Sequence, residues 1–188
     1  MERNWGFTLI ELIVTMVVAG ILAALVVPSF MSSIKNNTTA TEANDLVSIL
    51  GYARSEAVKQ DVKVSICPST DNLTCSSNWA LGAIIYCQAS STTTKACTPS
   101  GASITTLRTM NPLANGYTLS VSSNATAITS VAFNPDGTSA QSNTTSFTLC
   151  DAQAEVAFAA GIQLLPSGRA EASPKHGYDV AGNALSCP

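Results

Sequence analysis

The sequence predicts an α+β fold in which one long N-terminal α-helix, apolar over its first half, packs on an antiparallel β-sheet head that carries disulfides. Three observations predict it. Leu12 to Ile34 is a run of 23 residues without a charged side chain, long enough at about 1.5 Å per residue to cross a hydrocarbon core as a helix. The run passes into an amphipathic stretch in which Leu46, Leu50, Ala53 and Ala57 share one helical stripe, with Ile49 beside it. From about residue 61 the pattern changes to short alternating runs punctuated by turn residues, and all six cysteines lie there.

The first element is a polar leader, Met1 to Gly6, with Glu2 and Arg3. The apolar segment follows, with Glu11 near its start. A secretory signal peptide would place a small-residue cleavage site after its apolar core. Here the cleavage-like junction, Gly6-Phe7, precedes it. A plain signal anchor explains the length and the leader but gives Glu11 no task. A carboxylate at the centre of a lipid-embedded helix costs about 2.5–3.5 kcal/mol, less near the end.

The helix is expected over residues 7–60, with 7–30 as anchor. Pro28 should kink it rather than end it, because its neighbours remain apolar or good helix formers; Gly20 is a second weak point. Glu42, Asp45, Arg54, Glu56 and Lys59 mostly lie off the apolar stripe and read as a solvated face.

The head, residues 61–188, reads as β. Strands are expected at Val62–Cys67, Trp79–Cys87, Ser103–Met110, Tyr117–Ser122, Ile128–Phe133, Phe147–Cys150, Glu155–Leu165 and Arg169–Ala172. Asn134-Pro135-Asp136-Gly137 and Pro166-Ser167-Gly168 are turn signals. Such runs suggest one antiparallel sheet packed on the helix. Asn-x-Ser/Thr sequons such as Asn72 and Asn124 add no functional argument.

The cysteines at 67, 75, 87, 97, 150 and 187 lack a CxxC pair, and His176 is the single histidine, which argues against a zinc site. An even number in an exported head reads as disulfides made in an oxidising compartment. Sequence leaves the connectivity open; the expected pairing is Cys67–Cys75, Cys87–Cys97 and Cys150–Cys187. The first two would close short polar loops, and the third would tie the C-terminus to a core strand.

Charged residues make up 11% of the chain and the net charge is −3, so strong sequence-independent nucleic-acid binding is not suggested. Removing Met1–Gly6 takes away one acid and one base and leaves that balance unchanged. No GxSxG, P-loop or GxGxxG occurs, and a lone loop histidine, expected to be a solvated surface residue, makes no triad. No catalytic residue, metal or cofactor is expected; the head reads as an interaction module, not an enzyme.

The residues GFTLIEL, from Gly6 to Leu12, resemble the processing site of type IV prepilins and type II pseudopilins. The resemblance implies cleavage after Gly6 by a prepilin peptidase, Phe7 as the new and N-methylated terminus, and Glu11 pairing with the terminal amine of a neighbouring subunit. A desolvated carboxylate is tolerable when a cation meets it. The segment SILGYARSEAVKQDVKVSICPS and the blocks VAFNPDGT, FTLCD and IQLLPSGR resemble the GspH/FimT class of minor pilins and pseudopilins. That implies the pilin fold, a single-pass inner-membrane anchor with a periplasmic head, and later residence in a filament or its tip. It implies other pilins and an inner-membrane assembly platform as partners, and a role in priming pilus assembly and joining the tip in twitching motility.

Two other functions share this anchor: a pseudopilin of type II secretion, and a DNA-capturing pilin for natural transformation. For the last, the resemblance points to cations near the C-terminal Gly-Arg. Arg169 and Lys175 are the candidates, with His176, Arg108 or Lys95 as possible additions. Glu171 stands where a second cation would help, so the patch is thin.

Overall fold

The computed structural model describes residues 8–87 and 105–187. The expectations at Gly6, Phe7, Lys95 and Cys97 lie outside them. The chain divides into two compact units, Met1–Asn37 and Thr38–Pro188.

Helix α1 spans Leu9–Gln60. It opens at Thr8, whose hydroxyl oxygen accepts the Glu11 N–H at 3.3 Å and whose carbonyl accepts the Leu12 N–H at 3.2 Å. This is a Thr-x-x-Glu start, with the acid in the first turn, where the helix dipole favours it. The helix continues through Pro28, as its apolar neighbours predict. It closes with Asp61 in the left-handed region (φ 56°) and the Val62 N–H on the Ala57 carbonyl, a Schellman-type end. The stripe read from the sequence is the buried face of the second unit: Leu46, Ile49, Leu50, Ala53 and Ala57 are all at most 5% exposed.

The head holds two antiparallel sheets, not the single one expected. The first contains β1 (Val64–Pro68), β2 (Ala83–Cys87), β3 (Thr105–Met110) and β6 (Val131–Phe133), in the order β3-β2-β1-β6. The second contains β4 (Thr118–Ser123), β5 (Thr126–Ala127), β7 (Thr145–Cys150), β8 (Ala160–Leu164) and β9 (Ala170–Ala172), in the order β5-β4-β7-β8-β9. Both contribute to one core against α1, with Val64, Ile66 and Ile85 from the first and Val121, Phe147 and Ile162 from the second. Trp79 bridges them, edge-on to Phe147 at 6.4 Å between ring centroids, its indole N–H on the Ile128 carbonyl. Alternation within each strand fixes which face is buried but not which strands share a sheet, so the sequence could not separate the two.

Three expected strands need correction. Trp79–Cys87 begins with a 3-10 turn, Trp79–Leu81, capped by Asn78. Gly82 then adopts φ 107°, and the strand starts at Ala83; a Cβ on Gly82 would lie 2.8 Å from the Met110 carbonyl oxygen. Glu155–Leu165 also opens as a 3-10 turn, Val156–Phe158, before β8. Ile128–Phe133 shortens to β6, while β4 and β5 form a hairpin around Asn124 and Ala125, both at positive φ. The apolar residues at these places are genuine, but turn chemistry overrides their strand propensity. Among the described residues, the ends of the remaining strands agree with the expectation or shift by one or two residues, and the expected start at Ser103 lies outside them.

The C-terminal segment lies across the second sheet at Gly161. A Cβ there would lie 2.9 Å from the Asp179 Cα and the Tyr178 carbonyl oxygen. Cys150–Cys187 ties this segment to β7 with a Cα–Cα distance of 5.9 Å, and Cys67–Cys75 closes the loop after β1 at 5.6 Å. Cys87 is also disulfide-bonded.

Candidate functional site

Two arrangements stand out, one in each unit. The first is the N-terminal half of α1. Its side chains from Leu9 to Ile34 are exposed wherever they are described, including Leu9 (78%), Met16 (68%) and Leu25 (71%). Its most apolar 18-residue stretch has a mean hydropathy of 2.7 and is long and apolar enough to cross a membrane. An apolar surface of this size is unstable in water and requires lipid or other helices around it. Glu11 is the one ionisable residue from Phe7 to Ile34.

The second is a clasp built on Arg54. The Arg54 Nε–H donates to the Gly137 carbonyl at 2.8 Å and its Nη2–H to the Ser167 carbonyl at 3.2 Å. The turns it grips have the same construction. In Asn134–Thr138, the Gly137 N–H bonds the Asn134 carbonyl and the Asn134 N–H bonds the Thr138 carbonyl. In Leu165–Arg169, the Gly168 N–H bonds the Leu165 carbonyl and the Leu165 N–H bonds the Arg169 carbonyl. Each has proline second and a glycine fourth at φ near +80°, as tight hairpin turns require. They meet closely, since a Cβ on Gly168 would sit 1.9 Å from the Gly137 carbonyl oxygen. Thr138 donates twice to Asp136, which holds that carboxyl below its usual range. The blocks ARSEA, NPDG and PSGR, far apart in sequence, therefore converge in space. The sequence reading placed Arg54 off the apolar stripe, and it is exposed; its bonding role was not read, and the signal that could have found it was its place in a block of the recognised pattern.

The candidate DNA contacts among the described residues each have a neighbour of their own. Arg169 pairs with Glu171 at 2.8 Å. Lys175 sits 3.7 Å from the Tyr178 ring centroid. They flank β9, one before it and one after. Arg108, on β3 of the other sheet, lies over the Tyr52 ring. His176 is half-buried rather than solvated, and its enclosed Nδ1 has no hydrogen-bond partner among the described residues. Among the described residues no group of three or more His, Cys, Asp or Glu could hold a metal.

Comparison with known proteins completes the picture. A family model described as type II transport protein GspH matches residues 42–168, which take in the clasp, the first sheet and all of the second except β9. The chain belongs to the GspH family. A second model, the prokaryotic N-terminal methylation motif, matches residues 6–27 of this GspH-family chain. It is similar to the type II secretion system core protein G of Klebsiella pneumoniae, 41% identical over 51 residues, or 27% of this chain; it spans 36% of that relative's length. Among solved structures, it is similar to the type IV minor pilin FimU of Pseudomonas aeruginosa, with a TM-score of 0.55 and 22% identity over 73% of this chain and 90% of that one. A second crystal form of FimU gives 0.52 and 21%, over 72% and 92%. These likenesses establish the pilin fold. The chain therefore joins an N-terminal methylation motif to a GspH-family head in one pilin-fold protein.

Proposed function

We propose that this chain is a minor pilin of a type IV pilus, held in the bacterial inner membrane by one pass of α1 with its head in the periplasm. In this reading, prepilin peptidase cuts after Gly6 and Phe7 becomes the methylated terminus. The apolar helix then leaves lipid and packs among other pilin helices at the assembly platform. The exchange is easy because both surroundings are apolar, and selectivity rests on helix packing and on Glu11 meeting a neighbour's terminal amine. The head helps prime assembly and joins the tip to the shaft. The observation that carries the reading is the methylation motif over 6–27 lying on the exposed apolar N-terminal half of α1, which holds a single acid, Glu11. Mass spectrometry of the native protein tests it: the expected N-terminus is methylated Phe7. An intact Met1, or a start far downstream, would remove the basis for the proposal.

A second reading, a pseudopilin of type II secretion, is favoured by the description of the matching family and by the relative from Klebsiella pneumoniae. Gene deletion separates the two. Loss of twitching with normal exoprotein secretion supports the pilus; the reverse supports the secretion system. The DNA-capturing alternative has the least support, since Arg169 is paired with Glu171 and Lys175 is stacked on Tyr178.

A further inference from the structure

The loop closed by Cys67–Cys75 contains one large apolar side chain, Leu73, and it points into water. Its one acid is bonded within the loop. The Asp71 carboxylate accepts from the Ser69 hydroxyl at 3.1 Å, the Leu73 N–H at 2.9 Å, the Thr74 N–H at 2.8 Å and the Thr74 hydroxyl at 2.7 Å. The Ser69 hydroxyl oxygen accepts the Asn72 N–H at 3.0 Å, and the Pro68 carbonyl accepts the Ser76 N–H at 2.7 Å. The Thr106 hydroxyl on β3 reaches the Asn72 carbonyl at 3.5 Å, which holds the loop against the sheet. Disulfide and hydrogen bonds fix the backbone on both sides of Leu73, whose side chain is 71% exposed. A slack loop could fold a leucine inward; this one holds it outward.

An isolated exposed leucine on a protein surface is ordinary. A leucine held in a preorganised loop differs, because little conformational entropy remains to be lost when a partner covers it. We propose that Leu73 is the apolar anchor with which this head grips the head of a neighbouring pilin-type subunit in the assembled filament. The loop's one acid is engaged internally and the rest of the loop is uncharged, which favours a neutral apolar pocket over nucleic acid or an anionic surface. Size identifies the occupant. A single leucine with its flanking Asn72 and Thr74 falls far short of the roughly 1,000 Å² that a free-standing complex buries. Such a contact acts only on a partner already held by another interface, where a high effective concentration makes weak contacts count. A chain that packs through its own N-terminal helix is such a partner. This inference rests on the filament reading above.

The test uses the full chain in its native membrane. A photoreactive residue at position 73 is expected to cross-link to another chain bearing a prepilin-type N-terminus, identified by mass spectrometry. Leu73→Asp should retain its disulfides and membrane level yet enter the sheared filament fraction about tenfold or more below wild type, while Leu73→Met enters normally. Cross-links to lipid or DNA alone, or normal entry of Leu73→Asp, would overturn the proposal. Glu11→Ala serves as the control for the underlying reading and should insert but fail to assemble. If Glu11→Ala fails and Leu73→Asp does not, the loop proposal alone falls. If Glu11→Ala also assembles normally, the filament reading falls, and this inference with it.

Discussion

Arg54 shows how much one side chain can hold together. It belongs to the helix, yet its two donors end on turns from different sheets, at Gly137 and Ser167. Removing it leaves the shielded Gly137 carbonyl without its donor and returns the exposed Ser167 carbonyl to water. Arg54→Ala is expected to cost about 1.5–3 kcal/mol, read as a lowered midpoint in chemical denaturation of the purified chain in detergent. Gly168→Ala should cost more than the ~1–3 kcal/mol of backbone strain alone, because its Cβ would also collide with the Gly137 carbonyl. The same scale carries a pH dependence. Asp71 is pulled well below the usual carboxylate range, first by the Thr74 N–H and then by the Leu73 N–H; Asp136 is lowered chiefly by the Thr138 hydroxyl. A depressed carboxyl stabilises the fold above its unfolded value, near 3.9, and loses that contribution as pH falls through its folded value. Both loops should therefore keep their amide protection from neutral pH down to about pH 4. They should lose it in stronger acid before the core does, as hydrogen exchange would show. The same loops changing alike between pH 7 and 5 would contradict this assignment.

At the scale of elements, legibility followed period and composition. The buried stripe of α1 from Leu46 to Ala57 was plain because a 3.6-residue repeat has one physical reading. The Pro-x-Gly turns were equally plain, since proline and glycine fix backbone angles directly. What escaped was local chemistry hidden under apolar letters. Trp79 and Val156 look like strand residues but lie in 3-10 turns, and Gly82 was read through rather than as a break. The hairpin between β4 and β5 was missed because its turn is Asn124-Ala125 rather than Asn-Gly. Ala125 sits at φ 60°, where a Cβ is disfavoured. That gives a direct expectation. Ala125→Gly should stabilise the head by up to about 1 kcal/mol, because the strain relieved outweighs the entropy that glycine loses. A lower melting temperature for Ala125→Gly would show that the turn is not held as described.

For the whole molecule, charge decides between a protein that grips nucleic acid and one that packs with its own kind. Phosphate binding grows with the number of cations that displace counterions, and each must be free to reach a phosphate. This chain has nine lysines and arginines against twelve acids, and the candidate lysine and arginines among the described residues are already engaged: Arg169 with Glu171, Lys175 with Tyr178, Arg108 with Tyr52. The donors of Arg54 are taken by the Gly137 and Ser167 carbonyls. Recruiting Arg169 to a phosphate would require breaking a 2.8 Å ion pair and leaving Glu171 facing the anion. Two such cations cannot provide useful affinity at physiological salt, where even proteins with six to ten phosphate contacts lose about 10³–10⁵ in affinity between 50 and 200 mM. The full chain in neutral detergent, titrated with duplex DNA at about 150 mM salt, is therefore expected to show no saturable binding. Arg169→Ala combined with Lys175→Ala should change nothing, whereas Glu171→Gln, which frees Arg169, should raise any residual low-salt binding. Saturable binding that the double substitution abolishes would return the DNA-capturing pilin to first place and would require the Arg169–Glu171 pair to open when DNA arrives.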